Sequence, residues 1–94
     1  MKHLKENRNT FPKWMYCKKA EIDLSKSGTG LFPGDFYMNR HVKRVILPDY
    51  TDTVPANMFK GCINLKEVTL PIDPDIGEAA FEGCISLTDI HIPL

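Results

Sequence analysis

Residues 54–72 read VPANMFKGCINLKEVTLPI, and residues 76–94 read IGEAAFEGCISLTDIHIPL. The two stretches align end to end without a gap, with Phe, Gly-Cys-Ile, Leu and Pro at matching positions. A weaker copy lies at nearly the same interval upstream, where Phe36 and Val42 take the places of Phe59 and Leu65. Self-similarity at a regular period indicates a repeat architecture, in which each copy is one supersecondary unit.

Each copy contains an L-x-x-L-x-L pattern that ends in an alternation of apolar and polar residues. Its apolar positions are Val42, Val45 and Leu47, then Leu65, Val68 and Leu70, then Leu87, Ile90 and Ile92. The alternation predicts a short strand with its apolar side chains on one side. A proline follows each strand pattern and ends it, because proline has no N–H to donate. The returning half, ANMFKG or EAAFEG, predicts a short helical turn that ends at glycine.

A unit this short cannot bury a core alone, so neighbouring units must stack. We therefore predict an α/β repeat, a short solenoid with a parallel sheet on its concave face and short helical turns or loops on its convex face. The predicted boundaries are an N-terminal cap segment at 1–18 and a solenoid at 19–94, divided into a degenerate unit 19–30 and units 31–53, 54–75 and 76–94. The first unit is expected to be degenerate because one further step back from Phe36 and Val42 leads to Lys13 and Lys19.

The phrase from Ile76 to Pro93, I-G-x-x-A-F-x-G-C-x-x-L-x-x-I-x-I-P, resembles the BspA-type leucine-rich repeat. The unit at 54–71 departs from it with Pro55 for glycine and Met58 for alanine. The unit before it keeps the aromatic residue and the strand but has Met38-Asn39 in place of Gly-Cys. The resemblance implies a binding or adhesive solenoid, common in secreted and cell-surface proteins, without catalysis.

Composition and charge narrow the function classes. The chain has 94 residues, is 43% hydrophobic and carries 12 cationic and 12 acidic side chains, which fits one folded domain rather than a disordered tail. Zero net charge argues against a dedicated nucleic-acid binder. Residues 1–19 nevertheless carry net +5, and their aromatic residues are expected to cover the first unit. The sequence as written predicts no signal peptide and no membrane insertion. The resemblance, in contrast, suggests a secreted or cell-surface location, so the sequence does not decide the compartment.

The three cysteines, Cys17, Cys62 and Cys84, form no metal-binding pair with one another or with histidine in the sequence. Stacking places Cys62 and Cys84 about 5 Å apart, so a disulfide is geometrically open, but we favour buried free thiols. A thiol redox sensor or enzyme using Cys17 is the less favoured alternative function. His91 is expected on the opposite side of its strand from Cys84, which argues against a cysteine hydrolase. We predict no catalytic residues.

Acidic loops follow two of the strands, with Asp49 and Asp52 in one and Asp73 and Asp75 in the next. The repeat offset suggests that Asp52 stacks beside Asp75, and Ca²⁺ favours converging carboxylate oxygens. Exposed acidic loops are more often simply solvated. We therefore predict no metal and no cofactor, and leave open whether these loops bind a cation.

The outward strand positions are the predicted binding surface for a protein partner. They are Arg44, Ile46, Glu67, Thr69, Asp89 and His91 on the concave face. The alternative is homotypic assembly through the C-terminal end, as a homodimer. The residues expected to form that contact are Phe81, Leu87, Ile90, Ile92 and Leu94.

Overall fold

The computed structural model of the chain describes residues 14–26 and 30–91. Within these ranges the chain forms six short strands and no helix. The strands are β1 (Glu21–Asp23), β2 (Arg44–Ile46), β3 (Thr53–Val54), β4 (Glu67–Thr69), β5 (Asp75–Ile76) and β6 (Asp89–His91). Four of them form a parallel sheet in the order β1-β2-β4-β6, and β3 pairs with β5 in a second parallel sheet. Each repeat therefore contributes one strand to the main sheet, as predicted.

The register of the main sheet follows the repeat offset. Ile22, Val45, Val68 and Ile90 are partners at the central position of each strand. The first three are buried, because the central side chain of each strand points into the core. The flanking residues lie in two columns on the other side of the sheet. One column is Glu21, Arg44, Glu67 and Asp89, and the other is Asp23, Ile46, Thr69 and His91.

The return segments are built from turns and contain no helix in the described residues. In the segment 32–39, Asp35, Tyr37 and Asn39 donate their N–H groups to carbonyls three positions earlier, at 2.9–3.2 Å. The alternate N–H groups leave the segment, since Phe36 donates to Met58 at 2.9 Å and Met38 to Lys60 at 2.8 Å. Because every second donor serves the next unit, the i→i−4 bonds of an α-helix cannot form. The sequence predicted short helical turns or loops in these segments, and the structure has loops.

An aromatic column runs through the core. Phe36 stacks on Phe59 with ring centroids 5.0 Å apart, and Phe59 stacks on Phe81 at 5.3 Å. Trp14 continues the column on Phe36 at 5.8 Å, with an interplanar angle of 8°. This equivalence was not predicted, because the interval from Phe59 back to Phe36, applied once more, leads to Lys13. The interval from Phe81 back to Phe59 is one position shorter. Counted back from Phe36, this shorter interval leads to Trp14, so Trp14 occupies the place of the repeat phenylalanine.

A second column, three positions after the aromatic one, satisfies backbone carbonyls. The Cys62 thiol donates to the Phe36 carbonyl at 3.0 Å, and the Cys84 thiol donates to the Phe59 carbonyl at 3.1 Å. Asn39 replaces cysteine in its unit, and its Nδ2 donates to the Trp14 carbonyl at 2.8 Å. The repeat cysteine is therefore a hydrogen-bond donor between units, a role that the asparagine amide also fills.

Candidate functional site

Among the described residues, nothing packs over one face of the main sheet. We call this the exposed sheet face and define it by the two outward columns, Glu21, Arg44, Glu67, Asp89 and Asp23, Ile46, Thr69, His91. Its side chains are exposed or half-buried, whereas the core residues Val45 and Val68 beneath them have no exposed surface. All six side chains proposed from the sequence as the binding surface lie together here.

Arg44 is the centre of an ion-pair ladder across this face. Its Nε lies 2.9 Å from Oε1 of Glu67, and its Nη1 lies 3.8 Å from Oε2 of Glu21. The other oxygen of Glu67, Oε2, lies 3.6 Å from Nε2 of His91. Solvent-exposed pairs of this kind contribute about 0–1 kcal/mol each to stability. The ladder therefore adds little to the stability of the fold and places charges of both signs side by side on this face.

Beside the ladder, the first two strands form a shallow pocket. It is lined by Glu21, Ile22, Asp23, Arg44 and Ile46. Ile46 is half-buried and supplies the apolar surface among charged groups. Hydrogen bonds from the side chain and the backbone N–H of Ser25 hold the pKa of Asp23 below its usual value. The pocket thus presents an apolar side chain between a guanidinium and fixed negative charge.

Comparison with known proteins gives one result that bears on this architecture. The BspA type leucine-rich repeat region matches residues 8–94, in six copies. The chain belongs to the BspA-type leucine-rich repeat family. Comparisons with curated proteins and with solved structures find no match. Membership supports a protein-interaction module in general, and the repeats of this family are typically non-catalytic.

The thiols of this BspA-type chain are free. Cys62 is buried, and its burial, with a smaller effect of the nearby Cys84 thiol, raises its pKa to about 12. Burial also raises the pKa of Cys84, which is half-buried. A raised pKa suppresses the thiolate and makes both groups poor nucleophiles. Cys17 is half-buried, packs against the core and accepts a hydrogen bond from Asn39 Nδ2 at its carbonyl, at 2.9 Å.

The last described BspA-type unit is less covered than the units before it. Ile90 is 50% exposed, whereas its partner Val68 and the equivalent residue Val45 are fully buried. Phe81 and Leu87 are half-buried, although Phe59 and Leu65 at the same positions are fully buried. Of the residues predicted for end-to-end assembly, these three lie together at this end. Ile92 and Leu94 lie outside the described residues.

The acidic loops do not stack as expected from the sequence. In the β3–β5 ladder, Asp75 is the partner of Thr53, and its N–H donates to the carbonyl of Asp52 at 2.9 Å. The pairing is shifted because the loop after β4 is one residue shorter than the loop after β2. Asp49, Asp52, Asp73 and Asp75 are all exposed. The proposed stacking of Asp52 on Asp75 is therefore wrong.

Proposed function

We propose that this chain is a non-catalytic module that binds a protein partner through the exposed sheet face. The observation that carries the proposal is the pocket around Ile46, where a half-buried apolar side chain lies beside Arg44. Arginine is enriched among the few residues that contribute most of the binding energy in many interfaces, and a polar rim supplies complementarity. The face is also built on paired strands, so its side chains are positioned before a partner arrives.

The charges of the face indicate the chemistry of the partner. Glu21, Asp23, Glu67 and Asp89 outnumber Arg44, and His91 adds positive charge only when protonated. An extended peptide with an apolar side chain for Ile46 and a basic residue beside it would match this pattern. We therefore propose a peptide segment of mixed apolar and basic character as the ligand.

A peptide display library panned on the immobilised chain tests the proposal. The double variant Arg44→Glu plus Ile46→Glu should lose the recovered peptides by at least about tenfold in affinity, since it removes the anchor and inverts the charge. The control is Lys60→Glu plus Ile63→Glu on a return segment, which makes the same change in charge away from the face. Equal binding by both double variants, with both folded by circular dichroism, would remove the exposed sheet face from consideration.

A second candidate function is homotypic assembly through the end formed by Phe81, Leu87 and Ile90. The exposure of these residues, compared with their buried equivalents, favours it. The backbone offers less to a two-fold contact. Around the aromatic column, internal units donate N–H groups forward, as Phe59 does to Ala80 at 2.8 Å, so two such ends would present donors to donors there. The strand edges also offer acceptors, as the Lys43 carbonyl does to the Lys66 N–H at 2.8 Å. The contact would therefore depend on apolar burial and should be nearly insensitive to salt.

Light scattering over a range of protein and salt concentrations tests this candidate. A dimer that persists at high salt and is lost in Ile90→Asp would support it. Ile85→Asp is the matched control, because Ile85 belongs to the same unit and is already 81% exposed. A monomer at high protein concentration would contradict assembly.

A further inference from the structure

We propose that Glu67, Asp89 and His91 form a binding site for a divalent transition-metal ion of the Zn²⁺ class. One oxygen from each carboxylate and one imidazole nitrogen lie within 4.8 Å of one another. The site is on the exposed sheet face but does not depend on peptide binding. No sequence motif predicts it, because Glu67 and His91 belong to different repeats.

The parallel register brings the three side chains together. Glu67 on β4 is the direct partner of Asp89 on β6. His91 follows Asp89 by two positions on the same strand, and residues two apart in a strand project from the same face. Neighbouring strands lie about 4.8 Å apart, so side chains of this length can meet above the sheet. The donors therefore come from paired strands rather than from loops.

The Glu67 carboxylate is oriented for a shared ion. Arg44 Nε holds Oε1 at 2.9 Å, which leaves Oε2 toward His91 Nε2 at 3.6 Å. Two ligands of a tetrahedral ion with bonds of about 2.0–2.2 Å lie roughly 3.3–3.6 Å apart. The nitrogen and oxygen are thus already near ligand separation. Arg44 would act as the outer-shell partner that orients a ligating carboxylate.

Charge on this part of the sheet also favours a cation. Glu67 and Asp89 are like charges directly opposite each other across two strands, an arrangement that destabilises a sheet. Arg44 contacts Glu67 on one side, and a divalent ion between Glu67 and Asp89 would relieve the repulsion on the other. The imidazole nitrogen distinguishes this set from the all-oxygen sites that Ca²⁺ and Mg²⁺ prefer. Zn²⁺ fits two carboxylate oxygens and one imidazole nitrogen, with water in the remaining position.

Titration of the chain with Zn²⁺ alone, without a polyhistidine tag, tests the site by calorimetry. We expect one ion per chain, and a loss of affinity of at least about tenfold in His91→Ala and in Asp89→Asn. His41→Ala and Asp73→Asn are matched controls, because both residues are exposed and lie outside the cluster. Both controls should bind Zn²⁺ like the unchanged chain. Absence of binding, or equal affinity in His91→Ala and the unchanged chain, would overturn the proposal.

Cobalt substitution separates this site from binding by the thiols. The absorption spectrum of the Co²⁺ complex should lack the intense thiolate-to-metal charge-transfer bands, since no cysteine is among the ligands. Their presence in the unchanged chain would assign the metal to Cys17, Cys62 or Cys84 and contradict the proposal. Because no peptide is present in either experiment, the result is independent of whether the exposed sheet face binds a partner.

Discussion

Asn39 Nδ2 donates to the Trp14 carbonyl at 2.8 Å, as the Cys62 thiol donates to the Phe36 carbonyl one unit later. The asparagine makes more bonds than the cysteine it replaces. Its Nδ2 also donates to the Cys17 carbonyl, and its Oδ1 accepts from the N–H groups of His41 and Val42 at 2.7 and 3.0 Å. Two of these four hydrogen bonds therefore join Asn39 to the preceding unit, and the other two hold the chain within its own unit.

Replacing Asn39 tests this connection. Asn39→Ala should lower the free energy of unfolding by about 2–4 kcal/mol, because it leaves buried carbonyl and N–H groups without partners. Asn39→Cys should cost less, since its thiol can donate to the Trp14 carbonyl. Urea unfolding followed by circular dichroism measures both. The control Cys62→Ser keeps a donor for the Phe36 carbonyl and should cost less than Asn39→Ala. Equal stability of Asn39→Ala and Asn39→Cys would contradict the shared role of asparagine and cysteine.

Ala79 has a left-handed backbone conformation, which the residues at the same position in the other units adopt more easily than alanine does. The column at this position is Gly34, Asn57 and Ala79, with φ of 72°, 60° and 57°. The left-handed region costs an alanine about 1–2 kcal/mol, whereas glycine adopts it freely and asparagine adopts it more readily than alanine does. Ala79→Gly should therefore raise the free energy of unfolding by up to about 1 kcal/mol, after the entropic cost of glycine.

Ala56→Gly is the matched control for this prediction. Ala56 is also half-buried in a return segment and is not among the residues with positive φ. Its replacement gains no relief of backbone strain and should lower stability. Thermal unfolding of the two variants gives the comparison, and a loss of stability in Ala79→Gly as large as in Ala56→Gly would contradict the strain.

The thiol of Cys62 should resist alkylation in the folded chain. Its pKa is raised from 9.0 to about 12, so at pH 8 the thiolate fraction falls roughly a thousandfold. Lack of solvent exposure slows the reaction further. Iodoacetamide labelling read by mass spectrometry should therefore modify Cys62 at least about a hundredfold more slowly in buffer than in urea. A native disulfide between Cys62 and Cys84, or equal rates in the two solvents, would refute the buried-thiol assignment.

The same pKa shift gives a direction for alkaline stability. The folded state holds the Cys62 proton more tightly than the unfolded state, so its contribution is complete below pH 9.0 and is lost as pH rises toward about 12. In Cys62→Ser this titration is absent. The unfolding free energy of the unchanged chain should therefore fall more steeply than that of Cys62→Ser above pH 9.0. Parallel pH profiles for the two proteins would contradict this.

The sheet was more completely predictable from the sequence than the return segments were. Alternation and the repeat offset were enough to place Arg44, Glu67 and Asp89 in one column, because the strand period of two is strict. The conformation of the return segments depends on which N–H groups bond to the next unit. The sequence ANMFKG is compatible with a helical turn as well as with the turns observed, so it could not decide between them. The pairing of Trp14 with Phe36 had a usable signal, since Cys17 follows Trp14 by three positions, as Cys62 follows Phe59.

The cluster of Glu67, Asp89 and His91 could be predicted only in part. The register of the strands can be obtained from the sequence, and it places the three residues on one face. The register does not determine that Arg44 contacts Oε1 of Glu67. Nor does it determine that the other oxygen, Oε2, lies 3.6 Å from His91 Nε2. Side-chain geometry of that kind requires the folded structure.

Binding of a partner by the exposed sheet face is the central proposal. The most direct measurement is a map of amide chemical shifts by NMR during titration with a peptide recovered from the display library. We predict that the largest changes fall in Glu21–Asp23, Arg44–Ile46 and Glu67–Thr69, around the Ile46 pocket. Changes confined to the return segments, or to the end formed by Phe81, Leu87 and Ile90, would contradict it.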